Sequence, residues 1–366
     1  MAASILHTCG GLHAPLESRA HAAGTVRGKS RALTIDLHCH ALTVAVEQLV
    51  AQRPEKLAER EMQLRLQGKE SLEYTVNVML KAAFPKLTNL EQRLADMDAM
   101  GVDMQVLSPG PNQYYYWADP DLARDISRKI NDHIAELVAK HPDRLLGLGH
   151  VSLQHPQISI EQLDYAVQTL GLRGVEVSST VNGLELANPQ FERFWARVEQ
   201  LGALVFLHPL GTSLGERVNQ HYLMNTLGQP LETTVALSFL IFGGTLDRYP
   251  GVKLLAAHGG GYLASYIGRS DHAWHARPDA RGCQLPPSEY LKKIFFDTIV
   301  YRPEQLRHLI AEVGATQVVV GTDYPYDMAD YNIHALLDAV PGLSEADRAA
   351  ILGGNAARLL NLPTHA

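Results

Sequence analysis

Residues 33–40 read Leu-Thr-Ile-Asp-Leu-His-Cys-His, an apolar run that ends in two histidines, His38 and His40. Seven further apolar, β-branched runs follow along the chain, at residues 104–108, 145–151, 174–178, 203–207, 253–257, 294–298 and 317–322. Uninterrupted apolar runs are typical of strands that are covered on both faces of a parallel sheet. The sequence therefore predicts a parallel sheet whose first strand carries the two histidines.

The segments between these runs have the periodicity of helices. Residues 121–140 place apolar side chains at intervals of three or four, and residues 190–201, 231–249 and 303–313 behave similarly. Eight successive strand–helix units predict an α/β protein with a (β/α)8 barrel of the TIM type. We expect residues 33–366 to form this single domain.

Two segments depart from the strand–helix repeat. Residues 41–89 form a connection too long for a plain loop and include a charged, helix-like stretch at residues 53–69. We expect this insertion after the first strand to form a small lid over the barrel mouth. Residues 1–32 carry four Lys or Arg against a single acid, Glu17, and we expect an N-terminal extension that crosses the surface or a partner subunit; an organelle transit peptide is the alternative.

Charge and composition exclude several classes of protein. The chain has 366 residues, and 32 Lys and Arg against 39 Asp and Glu give a net charge of −7, which argues against nucleic acid as a partner. Its apolar stretches are far shorter than the ~18 residues that cross a bilayer, so no membrane partner is expected. Cys9, Cys39 and Cys283 are too scattered for a disulfide framework, and a reducing cytoplasm is the expected location.

Five polar side chains stand at the ends of four predicted strands. They are His38 and His40 on the first strand, His208 on the fifth, His258 on the sixth and Asp323 on the eighth. Alternate residues of a strand share a face, so both histidines of the first strand point together and Cys39 points away. The carboxyl ends of barrel strands meet at one rim, and imidazoles with a carboxylate there suit zinc, manganese or iron(II).

Each of these residues alone also has a structural explanation. A lone His208 is most simply a hydrogen-bonded packing residue, and Asp323 could cap a helix. Their joint position at the ends of apolar runs favours a metal site. The aromatic cluster at residues 114–117 follows the second strand; it could belong to the core or an interface, or Trp117 could line a pocket for a planar substrate.

The motifs around these residues resemble the signature of the amidohydrolase superfamily, and more narrowly its metal-dependent decarboxylase branch. They are Asp36-Leu37-His38-Cys39-His40, His208-Pro209, His258-Gly259-Gly260-Gly261 and Gly321-Thr322-Asp323-Tyr324-Pro325. The resemblance covers roughly residues 33–360 and includes further matches at residues 131–135, 142–144, 232–234, 268–274 and 287–290.

The resemblance implies a role for each residue. His38, His40, His208 and Asp323 would ligate one divalent metal ion, with zinc expected and manganese as the alternative. His258 would hold or deprotonate a water at the metal rather than act as a ligand. Arg269 would reach a substrate carboxylate, across a dimer interface in the relatives, so a homodimer or higher homo-oligomer is expected.

Two departures from the family pattern concern the substrate and the metal count. The relatives carry a second substrate-binding Arg in the lid, where residues 81–86 here read Lys-Ala-Ala-Phe-Pro-Lys. Lys81 or Lys86 could take its place, but an ammonium group cannot form the bidentate fork of a guanidinium. Binuclear members use a carbamylated Lys after strand four; residues 174–179 contain none, so a mononuclear site is expected.

These features predict a metal-dependent, non-oxidative decarboxylase of a small unsaturated or aromatic carboxylic acid. The resemblance implies a substrate of the aminocarboxymuconate-semialdehyde or hydroxybenzoate type, with His258 and Asp323 as catalytic residues. The alternative is a metal-dependent hydrolase or hydratase of a lactone, amide or unsaturated acid at the same site. A non-catalytic barrel with a structural metal fits less well, because structural zinc sites are usually closed and rich in Cys.

Overall fold

The computed structural model describes residues 32–362, so the predicted extension at residues 1–32 lies, apart from its last residue, outside the described residues. The strands in the described part are β1 (Ile35–Ala41), β2 (Met104–Pro109), β3 (Leu145–Gly147), β4 (Gly149–His150), β5 (Gly174–Val177), β6 (Thr180–Val181), β7 (Leu184–Glu185), β8 (Leu204–Leu207), β9 (Lys253–Ala256), β10 (Ile294–Asp297) and β11 (Val318–Val319).

Helices occupy most of the connections between these strands. They are α1 (Val44–Val50), α2 (Pro54–Gln67), α3 (Lys69–Tyr74), α4 (Leu80–Thr88), α5 (Leu90–Met100), α6 (Pro120–Lys140), α7 (Pro156–Asp164), α8 (Glu192–Leu201), α9 (Gln229–Phe242), α10 (Thr245–Arg248), α11 (Leu263–Ala276), α12 (Pro287–Leu291), α13 (Pro303–Val313), α14 (Ile333–Asp338), α15 (Glu345–Ala349) and α16 (Asn355–Leu359). Within residues 32–362 no helix has the length and apolar character needed to cross a membrane.

The strands of the two main sheets pair in parallel. β1, β2 and β3 form one sheet, and β4, β5, β8, β9, β10 and β11 form a second sheet in that order. The short β6 and β7 make a separate antiparallel pair. Each of the eight predicted apolar runs contains a strand. The predicted α/β class with a parallel sheet is therefore confirmed.

The two main sheets meet at both sides, but they do not merge into one continuous ladder. Residues 145–150 pair with β2 through β3 and with β5 through β4. On the opposite side, isolated parallel bridges join Asp36 to Val320 and Cys39 to Tyr324. The ladder is interrupted here because β11 has only two residues, and the chain soon turns at Asp323, whose φ is +57°.

The outer helices pack on the strands through apolar stripes. On α6, Leu122, Ile126, Ile130 and Ile134 are buried, as the periodicity of residues 121–140 predicts. Gly147 of β3 lies directly under this stripe, where an added Cβ would come within 2.5 Å of Ile134 Cγ2. A residue without a side chain is required there for the helix to approach the sheet.

The connection between β1 and β2 is helical. The predicted helix-like stretch at residues 53–69 corresponds to α2, which buries none of its side chains within the described chain. Several large apolar side chains of α2, α3, α4 and the π-helical turn Thr75–Met79 are exposed, among them Leu57, Tyr74, Val78 and Phe84. The body of the fold therefore does not cover the outer face of this connection.

Candidate metal centre

β1 directs His38 and His40 into the same space. Both side chains are fully buried, and their ring centroids lie 5.2 Å apart. Cys39 points the other way, and its Sγ donates to the carbonyl oxygen of Val106 at 3.4 Å. The alternation of a strand thus places the two imidazoles together, as the sequence predicts.

His208 and Asp323 complete a buried cluster with these histidines. One ligand atom from each of His38, His40, His208 and Asp323 lies within 4.8 Å of the other three. Asp323 Oδ1 is 3.4 Å from His38 Nε2 and 3.5 Å from His40 Nε2. The ends of three separate strands therefore bring together the four residues that were predicted as metal ligands.

The unpartnered atoms of the cluster fit a bound cation. His38 Nε2, His40 Nε2 and His208 Nδ1 are buried and have no hydrogen-bond partner. Buried polar atoms are nearly always paired, so three unpaired nitrogens in one place need an explanation. Three imidazoles and a carboxylate form a donor set that suits zinc or manganese. The residues present fit a divalent metal ion.

Asp323 is held in an uncommon backbone conformation. Its φ is +57°, and its backbone N–H donates to the carbonyl oxygen of His38 at 2.8 Å. Backbone strain of this kind persists where surrounding contacts enforce it, often at functional sites. Burial alone raises the pKa of the Asp323 carboxyl, but the charge of His38 and the contacts with the neighbouring histidines hold that pKa well below its usual value.

Asp297 at the end of β10 orients His38, and sequence reasoning missed it. His38 Nδ1 lies 2.6 Å from Asp297 Oδ2. The same carboxylate accepts the backbone N–H groups of His258 at 2.9 Å and Gly259 at 2.7 Å. When Nδ1 donates its hydrogen to Asp297, His38 Nε2 keeps a free lone pair that faces the cluster. The signal was present, since Asp297 is a polar residue near the carboxyl end of the seventh apolar run, as the ligands are of theirs.

Electrostatics around His38 follow from these carboxylates. Burial lowers the pKa of His38, but Asp323 and Asp297 outweigh burial and raise that pKa to about 10. Burial and the neighbouring imidazoles hold the pKa of His208 well below its usual value. A divalent cation at the cluster would therefore take the place of a proton on His38.

We expect removal of the Asp297 carboxylate to weaken metal binding by about 10- to 100-fold, the usual effect of losing a group that orients a ligand. The Asp297→Ala variant should show this loss in a titration against a fluorescent chelator. The Asp297→Asn variant keeps an oxygen for His38 Nδ1 and should bind metal more tightly than the Ala variant. Equal, wild-type affinity in both variants would show that Asp297 does not orient His38.

His40 is fixed by a second set of contacts. Its Nδ1 lies 3.1 Å from the carbonyl oxygen of Pro109 and 3.6 Å from Glu176 Oε2. Glu176 of β5 is fully buried, and Tyr114 donates to its Oε1 at 2.5 Å. Pro109 can only accept, so Nδ1 carries the hydrogen and Nε2 is free to face the cluster. Tyr114 of the aromatic cluster thus contacts the site through Glu176.

His258 stands beside the cluster. Its Nε2 is 3.8 Å from Asp323 Oδ2, and its ring lies 5.2 Å from that of His38 and 5.0 Å from that of His208. Its Nδ1 is buried without a partner. The chain after it approaches α9 closely: a Cβ at Gly261 would come within 2.0 Å of the carbonyl oxygen of Pro230. A residue without a side chain is therefore required at position 261.

Two cavities open on this site. The α3–α4 cavity has a volume of about 330 Å³, and its lining includes both apolar and polar side chains of residues 63–80. The α11–α13 cavity has a volume of about 510 Å³ and extends past Tyr262 and His308. Both cavities are lined by the same five residues near the cluster: Asn225, Gln229, His258, Asp323 and Met328. A small organic molecule has room beside His258 and Asp323.

The three predicted substrate-binding residues line neither of these cavities in the described chain. Lys81 is exposed on α4, with its Nζ 3.5 Å from Asn77 Oδ1. Arg269 is exposed on α11. Trp117 donates from Nε1 to Glu59 Oε1 at 2.6 Å. Their roles as substrate-binding residues stay predictions.

Comparison with known proteins agrees with the site. The chain belongs to the amidohydrolase family, whose model matches residues 35–362. Within this family it resembles proteins named as decarboxylases. It is 38% identical to 2-amino-3-carboxymuconate-6-semialdehyde decarboxylase of Dictyostelium discoideum over 74% of this chain and 76% of that protein.

Solved structures give the same picture. The 5-carboxyvanillate decarboxylase of Sphingomonas paucimobilis is 25% identical, with a TM-score of 0.77 that covers 91% of this chain and 100% of that one. A dihydroxybenzoic acid decarboxylase of Polaromonas sp. JS666, with bound manganese and the inhibitor 2-nitroresorcinol, is 26% identical, with a TM-score of 0.73 over 91% of this chain and 98% of that one.

Proposed function

We propose that this chain is a metal-dependent, non-oxidative decarboxylase, and so a carboxy-lyase, of a small unsaturated or aromatic carboxylic acid. The observation that carries the proposal is the buried cluster of His38, His40, His208 and Asp323, whose ligand atoms lie within 4.8 Å of one another. The named relatives that share its fold and sequence are decarboxylases of muconate-derived or aromatic acids. The substrate is expected to be of the aminocarboxymuconate-semialdehyde or hydroxybenzoate type.

The four-residue cluster would hold one divalent ion. When bound, such an ion supplies a Lewis acid that anchors an anionic substrate. Asp297 and the carbonyl oxygen of Pro109 keep the ligand nitrogens of His38 and His40 aimed at the cluster through hydrogen bonds with their Nδ1 atoms. The donor set supports zinc or manganese; zinc is the ion we expect, and elemental analysis of protein purified without added metal decides between them.

His258 and Asp323 are the groups placed to move a proton. Both line the two cavities, and they lie 3.8 Å apart. In decarboxylation a C–H bond forms with an added proton, the bond to the carboxylate carbon breaks, and CO2 leaves, so no oxidant is needed. His258 is only partly buried and borders the open cavities, which suits a residue that exchanges protons with solvent.

The experiment that tests this function is CO2 release from a panel of carboxymuconate semialdehydes and ortho-hydroxy- or amino-benzoates. The reaction should also run in reverse. With labelled bicarbonate and the decarboxylated product, the metal-loaded protein should form the labelled acid, and chelator-treated protein should not.

The proposal extends to the architecture around the site. Residues 33–366 would form a single (β/α)8 domain, and residues 41–89 would act as a lid. Side chains of α3 and α4 line one wall of the α3–α4 cavity, and α2 buries no side chain, which suits a segment that moves. A cytoplasmic location stays a prediction from the scattered cysteines.

We expect Arg269 to bind the substrate carboxylate from a neighbouring subunit, which makes a homodimer the smallest active form. Its exposed position on α11 supports a role outside its own chain. The Arg269→Ala and His258→Ala chains should each be nearly inactive alone. Mixed heterodimers should regain activity, because one of their two sites has both residues. Verified heterodimers without recovered activity would place Arg269 outside the substrate site.

A further inference from the structure

His208 differs from the other two histidines of the cluster in how it is held. Asp297 and the carbonyl oxygen of Pro109 orient the rings of His38 and His40 through their Nδ1 atoms. The Nδ1 of His208 is buried without a partner, and in the described chain the hydrogen bonds of this residue are made by its backbone. The position of this imidazole therefore depends on the end of β8 that carries it.

Two backbone contacts hold this end of β8. The N–H of His208 donates to the carbonyl oxygen of Val177 on β5 at 3.0 Å. The carbonyl oxygen of His208 lies 3.0 Å from the hydroxyl of Tyr114, which also lies 2.5 Å from Glu176 Oε1. One hydroxyl hydrogen can be shared by two acceptors in a three-centre bond. Pro209 follows and has no N–H with which to continue the pairing.

Tyr114 is itself fixed by contacts on several sides. Its side chain is buried, and its ring stacks on that of Tyr116, with centroids 5.6 Å apart and an interplanar angle of 11°. Its carbonyl oxygen lies 3.1 Å from Nε2 of the buried His150. A carbonyl oxygen can only accept, so this Nε2 carries a hydrogen and donates it. The hydroxyl of Tyr114 therefore has a fixed place between β5 and β8.

We propose that Tyr114 is a positioning residue of the metal site: its hydroxyl ties the backbone of His208 to Glu176 of β5 and so sets where the His208 imidazole meets the ion. This inference rests on the proposed metal site and not on the identity of the substrate. Without the hydroxyl, the carbonyl oxygen of His208 would lose its donor in a buried place, which is costly. The end of β8 would then shift, and the imidazole with it.

The test compares Tyr114→Phe with the matched control Tyr116→Phe in the full-length protein. Each variant removes one hydroxyl from the same stacked pair of rings and keeps the stack. The hydroxyl of Tyr116 accepts the backbone N–H of Ser178 at 3.2 Å instead of contacting a ligand residue. Competition with a fluorescent chelator should show that Tyr114→Phe binds Zn²⁺ about tenfold or more weakly than the wild type, and that Tyr116→Phe stays within about twofold.

The visible absorption of bound Co²⁺ gives a second readout, because it responds to the geometry of the ligands and not to a general loss of stability. Tyr114→Phe should change this spectrum, and Tyr116→Phe should not. Wild-type affinity and spectrum in Tyr114→Phe, or equal changes in both variants, would overturn the inference. A wild-type protein that binds no Zn²⁺ would overturn it together with the metal site. Normal metal binding without CO2 release would sink the decarboxylase proposal alone.

Discussion

The His38→Ala variant is expected to lose its metal ion and essentially all of its activity. His38 contributes a ligand nitrogen 3.4 Å from Asp323 Oδ1, and its other nitrogen is held by Asp297. Its removal takes away one of the four clustered ligands, and the remaining two imidazoles and carboxylate are held in a geometry set for four, so we expect the ion to be bound much more weakly. Elemental analysis should find about one zinc or manganese per wild-type chain and almost none in the variant.

A matched control separates this effect from general loss of a histidine. His133 lies half-buried on α6, outside the cluster, and His133→Ala should keep both metal and activity. Two ions per wild-type chain would contradict the mononuclear assignment. Full metal content in His38→Ala would remove His38 from the ligand set.

The His258→Ala variant is expected to keep its metal and lose turnover by about 100-fold or more, the range for a proton-transfer residue. His258 stands beside Asp323 but is not one of the four clustered ligand residues. Steady-state kinetics with parallel elemental analysis measure both quantities. We expect His258→Gln to behave similarly, because an amide fills the space but cannot exchange a proton at neutral pH.

Loss of metal from His258→Ala would make His258 a ligand and contradict its assigned role. A lowered kcat with an unchanged metal content, and with a pH–rate profile that loses one of its limbs, would place His258 in proton transfer.

The parts of this fold that depend on local periodicity could be predicted from the sequence. The alternation of β1 places His38 and His40 on one face, and each apolar run contains a strand. The position of a ligand at the end of a run is a local property, and the parallel arrangement of the strands brings the ends together. The sequence alone could therefore predict that His208 and Asp323 lie beside His38 and His40, as the structure shows.

Features that depend on tertiary pairing could not be predicted in the same way. Asp297 carries a visible signal, but its partner His38 is 259 positions away in the chain. Glu176 reads as an ordinary strand residue until β5 brings it beside His40. In the described chain, only isolated bridges at Asp36 and Cys39 join β1 to the chain after β10, so the strands form two sheets and not one. No local sequence pattern predicts this pairing. The exposed position of Arg269 depends in the same way on how α11 packs.

Metal-dependent release of CO2 is the most direct test of the central claim. Metal-loaded protein, chelator-treated protein and chelator-treated protein with restored metal are each given a panel of carboxymuconate semialdehydes, hydroxybenzoates and aminobenzoates, alongside lactones and amides. We predict that at least one acid of the panel releases CO2 with the metal-loaded and metal-restored protein and not with the chelated protein. Absence of CO2 from every acid, together with metal-dependent hydrolysis of a lactone or amide, would contradict the decarboxylase assignment and make the protein a hydrolase.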